Sequence, residues 1–337
     1  MKSKFRYSLE NFRGIAIIFV MLSHIRSFQE IEQIGGYLYY IVGDATAWFV
    51  FISGYLFYYL EVNKFEYRAY ISKKARYVIM PYLILSFPAI LFLVMTYQYR
   101  LYGLTPLTFI LWSLTSGGIA VGPMWFIPMI TIFFLFTPIF IILSKSKLLC
   151  TLTAISLAFS IFSARPVYNT NAILSFLHFF GFYLLGILAA KNSIFLEELR
   201  TTTKITIIFI SFSFFVFFCF LFPGLESMPN GFLSGLGMLN YILAGKLFLL
   251  IAIFFLFEQF FEHENKTLGF FAKISFGLFF IHGFMEVIFN KMWKNINYFN
   301  SIIKLVAEII IVIFVSVAIV FLAKRILKKW SRYVIGC

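Results

Sequence analysis

Long apolar runs separated by short polar connections fill this chain. Ten of them are long and apolar enough to cross a bilayer core of about 30 Å as helices of about 20 residues. They lie near residues 9–28, 37–60, 77–98, 123–144, 148–164, 172–190, 203–222, 238–257, 268–289 and 302–323. Residues 99–122 are too polar and too rich in Gly and Pro for another span, although Leu107 to Leu114 is apolar. A re-entrant or interfacial piece fits there, and any part entering the core needs protein around its backbone. Pro223, Gly224, Pro229, Asn230 and Gly231 mark 223–237 as an outer loop. No internal repeat of the kind that builds inverted-repeat transporters is visible.

An even number of spans puts both chain ends on one side of the membrane. With both ends in the cytoplasm, twenty of the 28 lysines and arginines fall on cytoplasmic connections, including the runs Lys64 to Arg76 and Lys324 to Arg332. Six fall outside: Arg26, Arg100, Arg165, Lys291, Lys294 and Lys304. Arg13 and Lys246 fall within spans. Cytoplasmic loops of membrane proteins carry such an excess. The expected fold is therefore all-α, a polytopic bundle of about ten transmembrane helices with both termini cytoplasmic.

Composition agrees, since 61% hydrophobic residues, 12% charged residues and a mean hydropathy of +0.92 exclude an ordinary soluble domain. The expected organisation is one integral-membrane domain over residues 1–337, surrounded by lipid bilayer, with no appended soluble domain. A net charge of +14 would suggest nucleic acid in a soluble protein. Here the positive-inside bias accounts for it, and no nucleic-acid partner is expected. Cys150, Cys219 and Cys337 form no CxxC pair or Cys/His cluster, so neither a metal site nor a disulfide framework is expected. The N-terminus is basic and then apolar, as in a signal peptide. It lacks a small-x-small cleavage site and carries Arg13 and His24, which reads as a retained first helix.

Ionisable groups inside spans are costly unless paired or wetted, which makes each a functional candidate. They are Glu10, Arg13, His24, Asp44, His178, Lys246, His282, Glu286 and Glu308. Arg13 and His24 stand eleven residues apart, and at about 100° per residue eleven steps return to within roughly 20° of the starting direction. Both share one face of one helix, separated by about 16 Å along its axis. Bland readings exist for each: Arg13 as an end-of-helix arginine paired with Glu10, and His24 as an interfacial histidine bonded to a carbonyl. Asp44 either orients the His24 imidazole or caps a helix.

Several stretches carry a resemblance. Arg13 and His24, in Leu9 to His24, resemble the R-x10-H signature of the first helix of the acyltransferase 3 family of membrane acyltransferases. Trp48 to Leu56 is similar to its second-helix motif ending in Ser53-Gly54-Tyr55. Lys73 to Tyr82 resembles its basic run closing on Pro-Tyr, with Lys74 and Arg76 competing for the family's arginine position. Met124 to Pro128, containing Trp125, and Ile274 to His282 are similar to two later motifs. The ordered matches span residues 9 to about 290. A glutamate that many members carry shortly after the Trp-Phe element is missing, as in the single-domain, glycan-modifying branch.

That resemblance implies a membrane O-acyltransferase, most simply an acetyltransferase, resident in the bacterial plasma membrane. It implies acetyl-CoA as acyl-donor substrate, a surface polysaccharide or lipid-linked glycan precursor as acceptor, and no bound cofactor. His24 is the expected general base and Arg13 the group that binds the CoA phosphates or polarises the thioester. Glu10, Asp44, Ser53, Arg76, Trp125 and His282 are the expected donor- or substrate-binding positions. Ser53 and Gly54 also suit close helix packing, Trp125 suits either an interfacial belt or a donor-channel wall, and His178 reads as structural. Two rivals share the aromatic-rich spans: a transporter or polymerase of glycan precursors, and a non-catalytic envelope-assembly protein. Oligomeric state has no signature in the sequence.

Overall fold

The computed structural model describes residues 5–25, 27–28, 32–224, 231–293 and 301–337. Lys2, Lys4, Arg26 and Lys294 of the charge count, and Pro229 and Asn230 of the expected outer loop, lie outside the described residues. Among the described residues the chain is helical without strands. In order the helices are α1 (Tyr7–Ser23), α2 (Glu32–Val42), α3 (Thr46–Glu61), α4 (Tyr67–Lys74), α5 (Met80–Met95), α6 (Pro106–Ser116), α7 (Phe126–Leu135) and α8 (Thr137–Lys145). There follow α9 (Leu149–Ile161), α10 (Ala172–Lys191), α11 (Ser193–Glu198), α12 (Thr201–Phe220), α13 (Tyr241–Phe260), α14 (Lys266–Trp293), α15 (Ser301–Leu327) and α16 (Ser331–Val334).

Each of the ten apolar segments falls on helix. Among the described residues seven helical stretches are long and apolar enough to cross a membrane, and α7 with α8 forms an eighth that is bent by 57°. The bend lies at Phe136, just before Pro138, whose ring nitrogen cannot donate to the helix ladder. The remaining two, α1 and α9, have 17 and 13 residues and are shorter than the runs that predicted them. The chain is a multi-pass membrane protein of helices. The polar stretch 99–122 holds α6, whose 11 residues extend only about 17 Å and start at a capping box made by Thr105 and Thr108.

Two local departures from α geometry fall at or beside candidate residues. Ala75–Ile79 forms a π-turn ahead of Pro81, where the missing proline N–H interrupts the ordinary bonding pattern. Asp44, between α2 and α3, has φ of +53°, a left-handed conformation that aspartate tolerates better than most residues.

Helix α1 lies at the centre, packed on α14, α13, α3, α2 and α15. Phe12, Ala16, Ile17 and Met21 are buried on it, and the Trp48 ring packs against Phe12 at 5.6 Å and Phe19 at 4.9 Å. Glycines allow the closest crossings. A Cβ on Gly14 would strike the Leu268 carbonyl of α14, and one on Gly54 would strike the Tyr183 carbonyl of α10. Gly186 of α10 lies in the same way against the Phe51 carbonyl of α3. The base of α1 is held by charge: Arg6 pairs with Glu197 and Glu258, and Ser8 Oγ donates to Glu258 Oε1 at 2.5 Å. Buried Asn11 donates through Nδ2 to the carbonyls of Phe261 at 3.1 Å and His263 at 3.0 Å, fastening α1 to the α13–α14 connection.

Candidate active site

Helix α1 ends at His24, where the chain leaves the α conformation. Its imidazole is about a quarter exposed, and Nδ1 lies 3.6 Å from Glu286 Oε2 of α14, a carboxylate of similar exposure. One turn earlier on α14 is His282, four residues before Glu286 and so on the same helix face. The His282 ring centroid is 5.3 Å from that of His24. Its Nδ1 lies 2.9 Å from the Leu278 carbonyl. A carbonyl only accepts, so Nδ1 of His282 carries the proton and Nε2 keeps the lone pair. That Nε2 is buried without a hydrogen-bond partner among the described residues. The structure thus brings His24 and His282, two residues from opposite ends of the sequence, into one cluster.

Asp44 joins the same end of the bundle through a different partner. Its carboxylate lies 3.2 Å from Arg165 Nε, in the connection between α9 and α10, and the α3 N-terminus has no side-chain cap. The carboxylate that meets the His24 imidazole therefore belongs to Glu286, and Asp44 acts on Arg165. The guanidinium also hydrogen-bonds the Tyr39 side chain of α2 and lies 5.7 Å from the centroid of the Trp125 ring. Burial works against the Arg165 charge, but Asp44 and Tyr39 outweigh it and hold the group above its ordinary value. Trp125 is 3% exposed and stacks on Phe179 at 5.9 Å, which makes it a wall beneath Arg165 rather than an interfacial aromatic. His178 bonds through Nδ1 to Ser163 Oγ at 2.8 Å, deep in the same region.

Arg13 sits two turns in from the base of α1, where the opposing charge of Glu10 acts on it. Its Nε is buried without a hydrogen-bond acceptor among the described residues. The straight run of α1 from Tyr7 to Ser23 keeps Arg13 and His24 about 16 Å apart along the axis. Arg76 lies in the π-turn, exposed and bonded to Tyr77, whereas Lys74 turns inward over Phe134 at 4.6 Å and Tyr70 at 5.1 Å. Ser53 is half-buried beside Gly54 at the α3–α10 crossing. The structure gathers His24, His282, Asp44 and Trp125 at one end of the bundle, and leaves Arg13, Glu10, Ser53 and Arg76 outside that cluster.

Sequence reasoning missed Arg165 and Tyr39 as members of this cluster and left Glu286 among the general ionisable candidates. Glu286 had a signal in its four-residue spacing from His282. Arg165 had only a place in the outer charge count. Among the described residues no group of His, Cys, Asp and Glu is arranged to hold a metal ion.

No curated protein and no solved structure matches the chain. A family model described as an acyltransferase domain matches residues 6–325. That match takes in α1, α14 and nearly the whole bundle, and the chain belongs to the acyltransferase 3 family of membrane acyltransferases.

Proposed function

We propose that this membrane acyltransferase is an O-acetyltransferase of the bacterial plasma membrane. With both termini cytoplasmic, it takes an acetyl group from cytoplasmic acetyl-CoA and gives it to a hydroxyl of a surface polysaccharide or lipid-linked glycan precursor. The observation that carries this reading is the pair of polar groups at the two levels of α1. One is an imidazole in a polar cluster at its end, and the other a buried guanidinium Nε without a protein acceptor about 16 Å away.

The separation supports a division of roles. One group cannot stand within hydrogen-bond reach of a thioester carbonyl attacked at His24 and also at Arg13. Arg13 therefore suits the phosphates of the donor, for which its planar, permanently charged fork is well matched. His24 acts at the reacting carbon. A sugar hydroxyl is a weak nucleophile at neutral pH, and an imidazole can take its proton as the oxygen attacks the thioester carbonyl. The C–S bond then breaks, the acetyl group stays on the sugar oxygen, and the CoA sulfur leaves with the proton returned by the imidazolium.

The test measures acetyl groups on the host's surface glycan by NMR in cells carrying the wild-type chain, no chain, or His24→Ala at equal membrane abundance. Acetyl signals present in the first and absent in the other two support the reading. An unchanged pattern without the chain overturns the glycan assignment, and full acetylation with His24→Ala overturns the role of His24.

A further inference from the structure

We infer that Glu286 is a positioning residue for the transfer, fixing the orientation and tautomer of the His24 imidazole. This rests on the proposed role of His24 as base. The side chains approach at 3.6 Å between Glu286 Oε2 and His24 Nδ1, close enough for a carboxylate to bias the nearer nitrogen toward carrying the proton. Protonation at Nδ1 leaves the lone pair on Nε2, the nitrogen available to an acceptor hydroxyl. During attack Nε2 gains the hydroxyl proton, the ring becomes an imidazolium, and Glu286 remains ionised beside it. The carboxylate stabilises that charge without receiving the proton, as in other base-plus-orienter arrangements.

Glu308 of α15, which comes near His24 in the chain through Ser27, accepts from the Ser27 N–H and hydroxyl. Asp44 is engaged with Arg165. His282, the other ring in contact with His24, has its own orientation set by the Leu278 carbonyl and brings no negative charge. Arg165 from the α9–α10 connection lies within electrostatic range of His24, and Tyr39 from α2 lies within range of Glu286. Around the pair, then, stand His282 on α14, Arg165, Tyr39, Asp44 and, by way of Ser27, Glu308 on α15; Asp44 and Glu308 share the sign of Glu286.

The experiment uses membrane vesicles from host cells lacking their own copy, carrying wild type, Glu286→Gln, Glu286→Asp, His24→Ala or the double variant His24→Ala/Glu286→Gln. Radiolabelled acetyl-CoA is the probe, and label in the glycan fraction is read against donor concentration and pH. Glu286→Gln is expected to lower the maximal rate roughly tenfold to a hundredfold, with the KM for acetyl-CoA unchanged. The acid limb of its pH profile moves to lower pH, because an imidazolium without a neighbouring carboxylate loses its proton more readily. Glu286→Asp recovers part of the rate, and the double variant is no slower than His24→Ala, since two groups acting as a unit are not additive.

A Glu286→Gln rate within threefold of wild type, beside an inactive His24→Ala, overturns the inference and leaves the acyl-transfer reading standing. A raised KM at full maximal rate, or an unmoved pH profile, also overturns it. Should Glu286→Gln fail to accumulate, Glu286→Asp carries the test through its pH profile. An active His24→Ala overturns the role of His24 and, with it, this inference.

Discussion

Gly14 is the point where the packing of α1 against α14 can be tested against the candidate chemistry, because His24 closes one of these helices and His282 and Glu286 stand on the other. An alanine Cβ at Gly14 would lie 2.8 Å from the Leu268 carbonyl carbon, and closer still to its oxygen. Ordinary contact begins at 3.4 Å, so clearing the carbon alone takes roughly 0.6 Å and clearing the oxygen takes more. Backbone cannot turn aside as a flexible side chain can, and overpacking of this kind costs about 1–3 kcal/mol. The same displacement acts on the His24–Glu286 pair, whose 3.6 Å approach has little to spare. Misplacing a catalytic group by about 1 Å costs up to a hundredfold in rate. Gly14→Ala is therefore expected to lower the thermal midpoint of the detergent-purified protein by a few degrees and to slow acetyl transfer at least tenfold. Gly269→Ala is the control. It lies one residue beyond Leu268, its Cβ would meet nothing closer than 3.9 Å, and helical alanine is favoured over glycine by roughly 1 kcal/mol. A Gly14→Ala protein with unchanged melting and rate would refute the reasoning, as would a Gly269→Ala protein damaged equally.

Asn11→Ala strands the carbonyls of Phe261 and His263, and thermal unfolding in detergent should show a loss of about 2–3 kcal/mol. Its transfer rate at a permissive temperature should stay near wild type, because Asn11 touches neither end of the candidate site. Asp44→Ala removes the partner of a half-buried Arg165 and places alanine at a φ of +53°, whereas Asp44→Asn keeps a residue suited to that conformation. Melting curves should therefore rank wild type, then Asn, then Ala. Arg13→Gln should raise the KM for acetyl-CoA about tenfold or more, the loss of one charge-assisted hydrogen bond of roughly 1.5–3 kcal/mol; an unchanged KM removes Arg13 from donor binding.

What was legible in the sequence follows the range of the physics involved. The ten apolar runs are local, and each became helix. The bend before Pro138 and the π-turn before Pro81 follow from proline's missing donor. The Arg13–His24 spacing needs only one straight helix, which α1 supplies. By contrast, the meeting of His24 with Glu286 depends on how α1 crosses α14, more than 250 residues later. Nothing near either residue encodes that crossing except Gly14, whose purpose shows only once Leu268 lies against it. Asp44 illustrates the same limit. Its place between two early helices was readable, but Arg165 competes for its carboxylate, and the imidazole is left to a residue from another helix.

The length of α1 ties fold to chemistry. Seventeen residues make about 26 Å of helix, short of the roughly 30 Å of a bilayer core. A lipid-facing helix of that length would leave its terminal polar groups in hydrocarbon. Here α14, α13, α3, α2 and α15 surround it, so protein groups meet both ends: Arg6 and Ser8 find Glu258 at one, and His24 finds Glu286 at the other. A short central helix thus ends in a titratable side chain that protein groups, rather than lipid, surround. Lengthening α1 by one turn between Arg13 and His24 would keep its hydrophobic character while moving the imidazole about 5–6 Å along the axis and around 40° off its original face. Such an insertion should abolish acetyl transfer even where the protein accumulates normally. A variant of this kind with full activity would show that the distance between the two groups is immaterial, and with it the division of labour along α1 would fail.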